Sequence, residues 1–181
     1  MSATLPHPLG DLTILDKYAS APFAPGTLSN RRTFYSPVDD VHGCLKQVVS
    51  AATRSLVIAM FGFADEELAD IILTKLNAEH IYVQLTLDST QAAGAGEKKI
   101  LAKESYPAST VAIGRSERGA IMHLKEIVVD GVILVTGSTN WSTGGETLQD
   151  NQLTVENDPL ACAAATARIG AIHANILNKK K

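Results

Sequence analysis

The chain contains few of the residues and motifs that mark several large protein classes. Its 181 residues include two cysteines, Cys44 and Cys162, without a Cys-x-x-Cys pair. We therefore expect two free, buried thiols rather than a disulfide framework. No His-Glu-x-x-His or His-x-x-x-His motif occurs. Because no cluster of histidines and carboxylates has the spacing of metal ligands, the sequence predicts neither a metal site nor a cofactor.

Membrane-related patterns are missing from the sequence as well. The first residues lack the positive segment and the apolar segment of a usual signal peptide. No apolar run reaches the roughly 18–20 residues that span a bilayer, because the longest ones are interrupted by Asp130 or Arg168. We expect a cytoplasmic protein with no membrane span, although specialised secretion needs no such signal.

There is no excess of basic charge. The chain has 19 acidic and 16 basic side chains, a formal net charge of −3, which excludes a basic coat over the whole surface. Any contact with nucleic acid would have to come from a local patch. The length and the apolar fraction of 45% are those of one folded domain, since domains commonly have about 100–150 residues.

The pattern of apolar residues divides the chain into three parts. Residues 1–30 hold four of the seven prolines and predict an N-terminal extension on the surface, with a short helix possible near residues 11–19. Residues 31–178 alternate strand-like and helix-like segments, and residues 179–181 form a basic tail. Strands that alternate with helices early and follow one another late predict one α/β domain, a mixed β-sheet sandwiched by helices.

Local signals place several elements of this domain. Ser36-Pro37 predicts a helix start, with Ser36 as the N-cap and Val38 in the apolar stripe. Residues 97–105 predict a polar, exposed helix. The continuous apolar run at residues 55–61 (SLVIAMF) predicts a strand covered on both faces.

The most informative segment is a predicted hairpin between residues 121 and 140. Asp130-Gly131 stands between two apolar runs, which is a strong signal for a two-residue hairpin loop. With that loop, the numbers of opposed residues sum to 261, so that His123 faces Ser138 and Lys125 faces Thr136; a bulge would change this pairing. Four polar side chains then project from one side of the hairpin, namely those of His123, Lys125, Ser138 and Asn140.

This group of side chains suits a phosphate ester. Lys125 supplies a positive charge, while Asn140, Ser138 and the backbone N–H groups near Gly137 supply neutral donors. His123 can act as a nucleophile or a proton donor near neutral pH. A single strand histidine is more often a packed residue, but four polar groups on an apolar hairpin favour a functional site.

The spacing of these residues resembles the signature of the phospholipase D superfamily. His123-Leu-Lys125, Asp130 and Gly137-Ser138-Thr-Asn140 fit the pattern HxK(x)4D(x)6GSxN. Segments 33–37, 55–65, 85–88 and 149–160 are similar to blocks of its small single-motif members, which resemble bacterial plasmid-type endonucleases and mitochondrial phospholipase D-like nucleases. The resemblance extends over residues 32–176 and leaves residues 1–30 outside it.

The resemblance implies a phosphodiesterase that needs no metal and works through a phosphohistidine. It implies that His123 is the nucleophile in one motif copy and the general acid/base in the other. Lys125 and Asn140 would bind the phosphate with Ser138 in support. Asp130 would stabilise the local structure, and a turn former is an equally good interpretation of that residue.

Family members carry a glutamate after the motif that orients the catalytic histidine. Asp150 occupies the matching position in this sequence, and Glu156 is a weaker candidate. Since an aspartate is one methylene shorter than a glutamate, the assignment of the orienting role stays open between the two.

The number of motifs predicts the assembly. The mechanism implied by the resemblance needs two catalytic histidines, and this chain has one motif. We therefore expect a two-fold homodimer with one composite site on its axis, formed by the catalytic domain 31–178 of each chain.

A basic segment beside the motif bears on the substrate. Residues 98–125 hold six basic and two acidic side chains. Present twice in a dimer, this segment would form a track for a phosphate backbone, although a solvated helix face is as good an interpretation. Trp141 is a candidate for stacking on a base, or else a packed residue. The candidate substrate-binding residues are Lys98, Lys99, Lys103, Arg115, Arg118, Gly137 and Trp141.

Three functions remain open from the sequence. The first is an endonuclease that hydrolyses DNA or RNA through contacts to the backbone. The second is a phospholipid phosphodiesterase or transphosphatidylase, although the sequence has no amphipathic basic helix. The third is a catalytically silent dimer that binds nucleic acid or protein, against which the complete His-Lys-Asn set argues.

Overall fold

A seven-stranded β-sheet forms the centre of the computed structural model, which describes residues 7–91, 94–102 and 107–179. The strands are β1 (Arg31–Ser36), β2 (Ser55–Met60), β3 (Tyr82–Asp88), β4 (Val111–Gly114), β5 (Lys125–Val129), β6 (Ile133–Gly137) and β7 (Asn151–Asn157). The α-helices are α1 (Val41–Ser50), α2 (Glu66–Leu76), α3 (Ala95–Leu101), α4 (Thr143–Thr147) and α5 (Pro159–Lys179). A short 3-10 helix covers Leu12–Tyr18.

The sheet is mixed, as the sequence predicts. Its strand order is β1-β7-β6-β5-β2-β3-β4. β2, β3 and β4 are parallel to one another, whereas β5, β6, β7 and β1 are joined by antiparallel pairing. Parallel neighbours need a crossover and antiparallel neighbours need only a turn. Helices therefore separate the early strands, and a hairpin joins β5 to β6.

The apolar run of β2 is explained by cover on both faces of the sheet. Leu56, Ile58 and Met60 belong to the core that also contains α1 and α2 residues, whereas Val57 and Ala59 belong to the core beneath α5. Side chains alternate between the two faces of a strand, so both sets must be apolar. Each fully buried side chain of leucine size contributes roughly 1.5–3 kcal/mol. The prediction of a sandwich of helices around the sheet is confirmed.

The two cysteines are free and buried, as predicted, with one in each core. Cys44 of α1 lies in the first core and Cys162 of α5 lies in the second. Burial raises the pKa of the Cys162 thiol to about 11, and burial raises the pKa of the Cys44 thiol further. Both thiols therefore act as small apolar groups.

Helix α5 covers the second face of the sheet with one buried stripe. Its buried side chains are Cys162, Ile169, Ile172, His173 and Ile176. By length and composition alone, this helix of 21 residues is apolar enough to cross a membrane. Its apolar stripe packs on the sheet, as expected of a core helix.

The described part of the N-terminal extension is integrated into the core. Leu9, Leu12 and Leu15 are fully buried, and Asp11 caps the 3-10 helix by accepting a hydrogen bond from the Thr13 N–H. The short helix predicted near residues 11–19 is confirmed. The prediction that this segment lies on the surface is wrong for these leucines. Leu12 and Leu15, three residues apart in the 3-10 helix, share one face of it, and Leu9 packs in the same core. The division at residues 30 and 178 stays a prediction.

The start of α1 differs from the prediction. Ser36 is the last residue of β1, where it pairs with Asn151 of β7, and its hydroxyl donates to the carbonyls of Gly145 and Gln149 at 3.0 and 2.8 Å. The N-cap is Asp40, whose carboxylate accepts from Gly43 N–H, and Val38 is exposed. Pairing with a distant strand thus overrides the local capping signal.

The predicted exposed helix at residues 97–105 is shorter and less exposed than expected. It is α3, which begins at Ala95 and ends at Leu101, and both Glu97 and Ile100 are buried. Residues 103–106, which include the candidate Lys103, lie outside the described residues.

Candidate active site

The motif hairpin has the predicted turn but a shifted register. Asp130 and Gly131 have positive φ values of 56° and 71°, and Val132 N–H donates to Val129 C=O at 3.0 Å. The ladder then pairs Val129 with Ile133 and Glu126 with Thr136, so Val132 is one extra residue on the β6 side. The predicted pairs His123–Ser138 and Lys125–Thr136 are therefore wrong by one position.

Lys125 begins β5 and is 7% exposed. Its Nζ donates to the backbone oxygen of His123 at 3.0 Å and lies 4.9 Å from the centre of the Phe61 ring. Burial holds the pKa of the Lys125 ammonium below its ordinary value. No described carboxylate pairs with this buried cation, and an unpaired buried charge is costly. An anionic ligand would supply the missing counter-charge.

His123 presents an exposed ring on a fixed backbone. The N–H of the preceding Met122 donates to Asp88 Oδ2 at 2.6 Å, and the C=O of the following Leu124 accepts from Phe61 N–H at 3.0 Å. The ring packs edge-on against Phe61 with centroids 4.6 Å apart. Among residues 7–91, 94–102 and 107–179, none forms a hydrogen bond with the imidazole. Both ring nitrogens are therefore available to a ligand.

Asn140 lies beside the same segment of chain. A Cβ atom on Gly62 would stand 3.2 Å from Asn140 Cγ, so the amide group packs directly on that glycine. The neighbouring Trp141 N–H donates to Gly62 C=O at 2.9 Å. Asn140 Oδ1 is buried and has no partner in the described structure. Phe61 and Gly62, which follow β2, thus bring His123, Lys125 and Asn140 together.

Gly137 and Ser138 fix the motif to the start of β7. A Cβ atom on Gly137 would stand 2.0 Å from Gln152 C=O, so only glycine fits at this close approach. Ser138 Oγ donates to Asn151 Oδ1 at 2.9 Å and accepts from Gln152 N–H at 3.0 Å. These contacts suit a supporting role for Ser138.

Trp141 is a core residue. It is 1% exposed, and its ring packs edge-on against Phe63 with centroids 5.0 Å apart. Its carbonyl oxygen accepts from Ala64 and Asp65 N–H. The suggested stacking on a base is therefore wrong for this conformation, and the alternative of a packed aromatic residue is correct.

Asp130 lies at the far end of the hairpin from His123 and holds β2 in place. Its carboxylate accepts from Thr53 Oγ1, Arg54 N–H and Ser55 N–H at 2.7 to 2.8 Å. Burial acts to raise the pKa of Asp130, but these hydrogen bonds outweigh it and hold that pKa below its ordinary value of 3.8. His7 Nε2 also lies 3.1 Å from this carboxylate.

In the described structure, neither orienting candidate forms a hydrogen bond or an ion pair with His123. Asp150 is exposed in the turn before β7. Glu156 lies further along β7, where Arg31 Nε is 3.3 Å from its carboxylate. The orienting role of Asp150 stays a prediction.

The basic segment is only partly free. Lys99 pairs with Asp70 at 2.7 Å, and the carboxylate of Glu117 accepts from both terminal guanidinium nitrogens of Arg168. Lys98, Arg115 and Arg118 are exposed. The two arginines lie on the loop between β4 and β5, which leads directly to His123.

Two residues that position the site, Asp88 and Phe61, are not marked by any motif in the sequence. Asp88 is fully buried at the end of β3 and holds the backbone before His123, while Phe61 contacts the motif histidine and lysine. Burial, and next the nearby Asp88 carboxylate, raise the pKa of Glu97 to about 7. The one sequence signal that could have identified Asp88 is its position, as an aspartate at the end of an apolar strand.

A family model described as "Cardiolipin synthase, PLD-like domain" matches residues 45–170. The chain belongs to the phospholipase D-like family. Members of this superfamily are phosphodiesterase hydrolases. The site agrees with this activity, because His123 and Lys125 contact Phe61 and Asn140 packs on the adjacent Gly62. The predicted resemblance is confirmed.

Known proteins of the phospholipase D-like family match at moderate identity. Mitochondrial cardiolipin hydrolase of Chlamydomonas reinhardtii is 26% identical over 140 residues, which are 77% of this chain and 60% of that protein. NucT from Helicobacter pylori superposes with a TM-score of 0.70 at 22% identity, over 80% of this chain and 96% of that one. Nuc, a phospholipase D family member from Salmonella typhimurium, superposes with a TM-score of 0.68 at 19% identity, over 80% and 94%.

These matches differ in what they cover. This chain spans 60% of the length of the cardiolipin hydrolase, whereas it spans nearly all of NucT and Nuc. At these identities the two structural matches show the fold, which is the single-domain phospholipase D-like fold with a mixed sheet flanked by helices.

Proposed function

We propose that two copies of this chain form one phosphodiesterase site, in which each copy contributes His123, Lys125 and Asn140. The observation that carries the proposal is the buried Lys125 ammonium without a carboxylate partner in the described structure, 3.0 Å from the backbone of His123. A tetrahedral phosphate ester supplies the negative charge that this group lacks.

The chemistry follows from the two histidines. In the first step, an imidazole nitrogen of one His123 attacks phosphorus, a P–N bond forms and the P–O bond to the leaving group breaks. The His123 of the second copy donates a proton to the leaving oxygen. In the second step, the His123 of the second copy takes a proton from water, the water oxygen bonds to phosphorus, and the P–N bond to the first His123 breaks.

The neighbouring side chains would stabilise the charge on the phosphoryl oxygens. Lys125 acts as a fixed cation in a water-poor position, where electrostatic stabilisation is stronger than in solution. The Asn140 amide is packed on Gly62 and adds a neutral donor. Ser138 binds the start of β7 and so fixes the segment that carries Asn140.

The number of motifs in one chain supports the homodimer. A chain with one motif presents one catalytic histidine, and the ring of that histidine is exposed without a hydrogen-bond partner in the described residues. A two-fold axis beside this ring would supply the second histidine.

We infer that the substrate is a nucleic acid. Arg115 and Arg118 are exposed on the loop leading to His123, and in a two-fold dimer this loop occurs on both sides of the site. Exposed arginines beside a phosphate site favour a polyanion. The likeness to the nuclease-type structures NucT and Nuc supports the same substrate.

A phospholipid is the second candidate substrate. The curated relatives are named mitochondrial cardiolipin hydrolases, and Ile121, two residues before His123, is 45% exposed. An apolar side chain beside the site would contact a lipid better than it would contact a nucleotide.

One assay in EDTA separates the candidates. The purified chain is incubated with supercoiled plasmid, single-stranded DNA, single-stranded RNA and cardiolipin vesicles, with His123→Ala as the inactive variant and His80→Ala as the matched control, since His80 is exposed and remote from the motif in sequence. Strand cleavage that persists in EDTA and disappears only in His123→Ala supports the nuclease. Release of phosphatidic acid without strand cleavage supports the lipid enzyme, and binding without turnover of any substrate supports a silent dimer.

A further inference from the structure

Three titratable side chains from distant parts of the sequence meet at a cavity beside α4, the short helix that follows Asn140. His42 lies in the first turn of α1, Asp65 is the N-cap of α2, and Glu146 lies in α4. Glu146 Oε2 is 2.6 Å and Asp65 Oδ2 is 2.9 Å from His42 Nδ1. One oxygen or nitrogen from each residue lies within 4.8 Å of the others.

This cluster has more acceptors than donors. The side chains of Glu146 and Asp65 are 2% and 7% exposed. Asp65 Oδ1 accepts from the N–H groups of Glu67 and Leu68, but Asp65 Oδ2 and Glu146 Oε1 are buried without a hydrogen bond from any described residue. A single imidazole nitrogen can donate one proton, so it does not satisfy both carboxylates.

We propose that His42, Asp65 and Glu146 bind a divalent transition-metal ion of the Zn²⁺ class. An imidazole nitrogen and carboxylate oxygens are ligands of that class. Tetrahedral ligands at about 2.0–2.1 Å from Zn²⁺ stand about 3.3 Å apart, so the distances of 2.6 and 2.9 Å from His42 Nδ1 to Glu146 Oε2 and Asp65 Oδ2 would lengthen by about 0.7 and 0.4 Å. A cation at this point would neutralise the two buried carboxylates at once.

The surroundings of the cluster suit a metal ion. A cavity of about 350 Å³, lined also by Thr143 and Thr147, opens onto the three side chains and leaves room for water as a fourth ligand. His42 Nε2, on the other side of the ring, is 3.5 Å from Glu67 Oε2, and Glu67 is in turn paired with Lys46. A carboxylate behind a ligating histidine fixes its tautomer and orientation.

The metal ion would act as a clamp and not as a catalyst. It joins α1, the start of α2 and α4, and Asp65 N–H already donates to Trp141 C=O. Glu146 belongs to the short helix that follows Asn140. The clamp would therefore hold the loop that carries the phosphate-binding asparagine, whereas the proposed chemistry at His123 proceeds without it.

Metal binding is tested on the full-length chain after treatment with EDTA and dialysis. Zn²⁺ is titrated by calorimetry, and its effect on the melting temperature is measured. We expect one Zn²⁺ per chain, a higher melting temperature, and at least tenfold weaker binding in Glu146→Gln and in His42→Gln. Glu79→Gln and His80→Gln, which alter exposed residues after α2, should bind Zn²⁺ as the unaltered chain does, and so should His123→Ala.

A second measurement does not depend on the stability of the variants. In the unaltered chain, Zn²⁺ should shift the imidazole ¹⁵N resonances of one histidine, assigned as His42 by its loss in His42→Gln. Absence of Zn²⁺ binding up to millimolar concentration would overturn the proposal and indicate that a proton shared by Glu146 and Asp65 balances the cluster. Zn²⁺ binding that persists in both cluster variants, or a shift at His123 alone, would overturn it as well.

Discussion

The ammonium group of Lys125 donates to the backbone carbonyl of His123 at 3.0 Å, so the cation of the motif is tied to the chain beside its histidine. Lys125 is 7% exposed and has no described carboxylate partner. The fold therefore places an uncompensated positive charge at the base of an exposed imidazole.

Replacement of Lys125 by methionine should remove activity and preserve the fold. We expect kcat to fall about 10²–10³-fold, the cost of removing one group that stabilises a developing charge. The melting temperature should stay constant or rise, because an apolar side chain replaces a desolvated cation. Lys17→Met, at an exposed lysine of the 3-10 helix, is the control. A Lys125→Met variant with full activity would contradict this role.

Asp130 should make stability depend on acid pH. Its folded-state pKa is below 3.8, so its contribution is complete above about pH 5 and is lost as the pH falls through the unfolded-state pKa toward the folded-state pKa. The free energy of unfolding of Asp130→Asn should be about 1–3 kcal/mol lower than that of the unaltered chain at pH 7, because buried N–H groups lose a charged acceptor. Its stability should also change less between pH 5 and 3 than that of the unaltered chain.

Denaturant unfolding from pH 3 to 7 measures both effects. Asp150→Asn is the control, since Asp150 is exposed and its loss should change stability by less than about 0.5 kcal/mol. If the free energy of unfolding falls equally between pH 5 and 3 in Asp130→Asn and in the unaltered chain, Asp130 is not the source of the acid dependence.

Glu97 should have the opposite pH dependence. Burial, and next Asp88, raise the pKa of Glu97 from 4.5 to about 7, so the cost of ionising it grows as the pH rises from 4.5 through 7. Glu97→Gln should be more stable than the unaltered chain at pH 8, by about 1–3 kcal/mol, and similar to it near pH 4. Glu79→Gln, at an exposed site, should show no such difference. An equal gain in Glu97→Gln at both pH values would show that ionisation of Glu97 is not the cause.

The N-terminal leucines should contribute to global stability. Leu12→Ala should destabilise the chain by about 2–5 kcal/mol, the usual cost of a large cavity in a core, since Leu12 is fully buried. Ile14→Ala is the matched control, because Ile14 is 48% exposed. If both variants melt at the temperature of the unaltered chain, the N-terminal segment does not belong to the folded core in solution.

Local patterns in the sequence predicted the features that depend on neighbouring residues. The β2 run, the Asp130-Gly131 turn and the motif spacing each specify structure within a few positions. The mixed sheet follows because helices and strands alternate in a recognisable order.

Features that depend on distant contacts were missed. Ser36 has the local pattern of a helix cap but pairs with Asn151 in β7. The hairpin register was missed for a local reason, because Val132 is one extra residue on the β6 side and the apolar periodicity does not reveal a single insertion. The cluster of His42, Asp65 and Glu146 has no motif, because its members come together only through the packing of α1, α2 and α4.

A mixing experiment tests the composite site most directly. Unaltered chains and His123→Ala chains are mixed at varied ratios, unfolded together, refolded and assayed for phosphodiester hydrolysis. The mass of the refolded protein is measured by light scattering. If both copies of His123 serve one site, activity should follow the square of the unaltered fraction, so that an equal mixture retains one quarter of the activity in a dimer. Activity that falls in simple proportion to the unaltered fraction, or full activity in a monomer, would contradict the composite site.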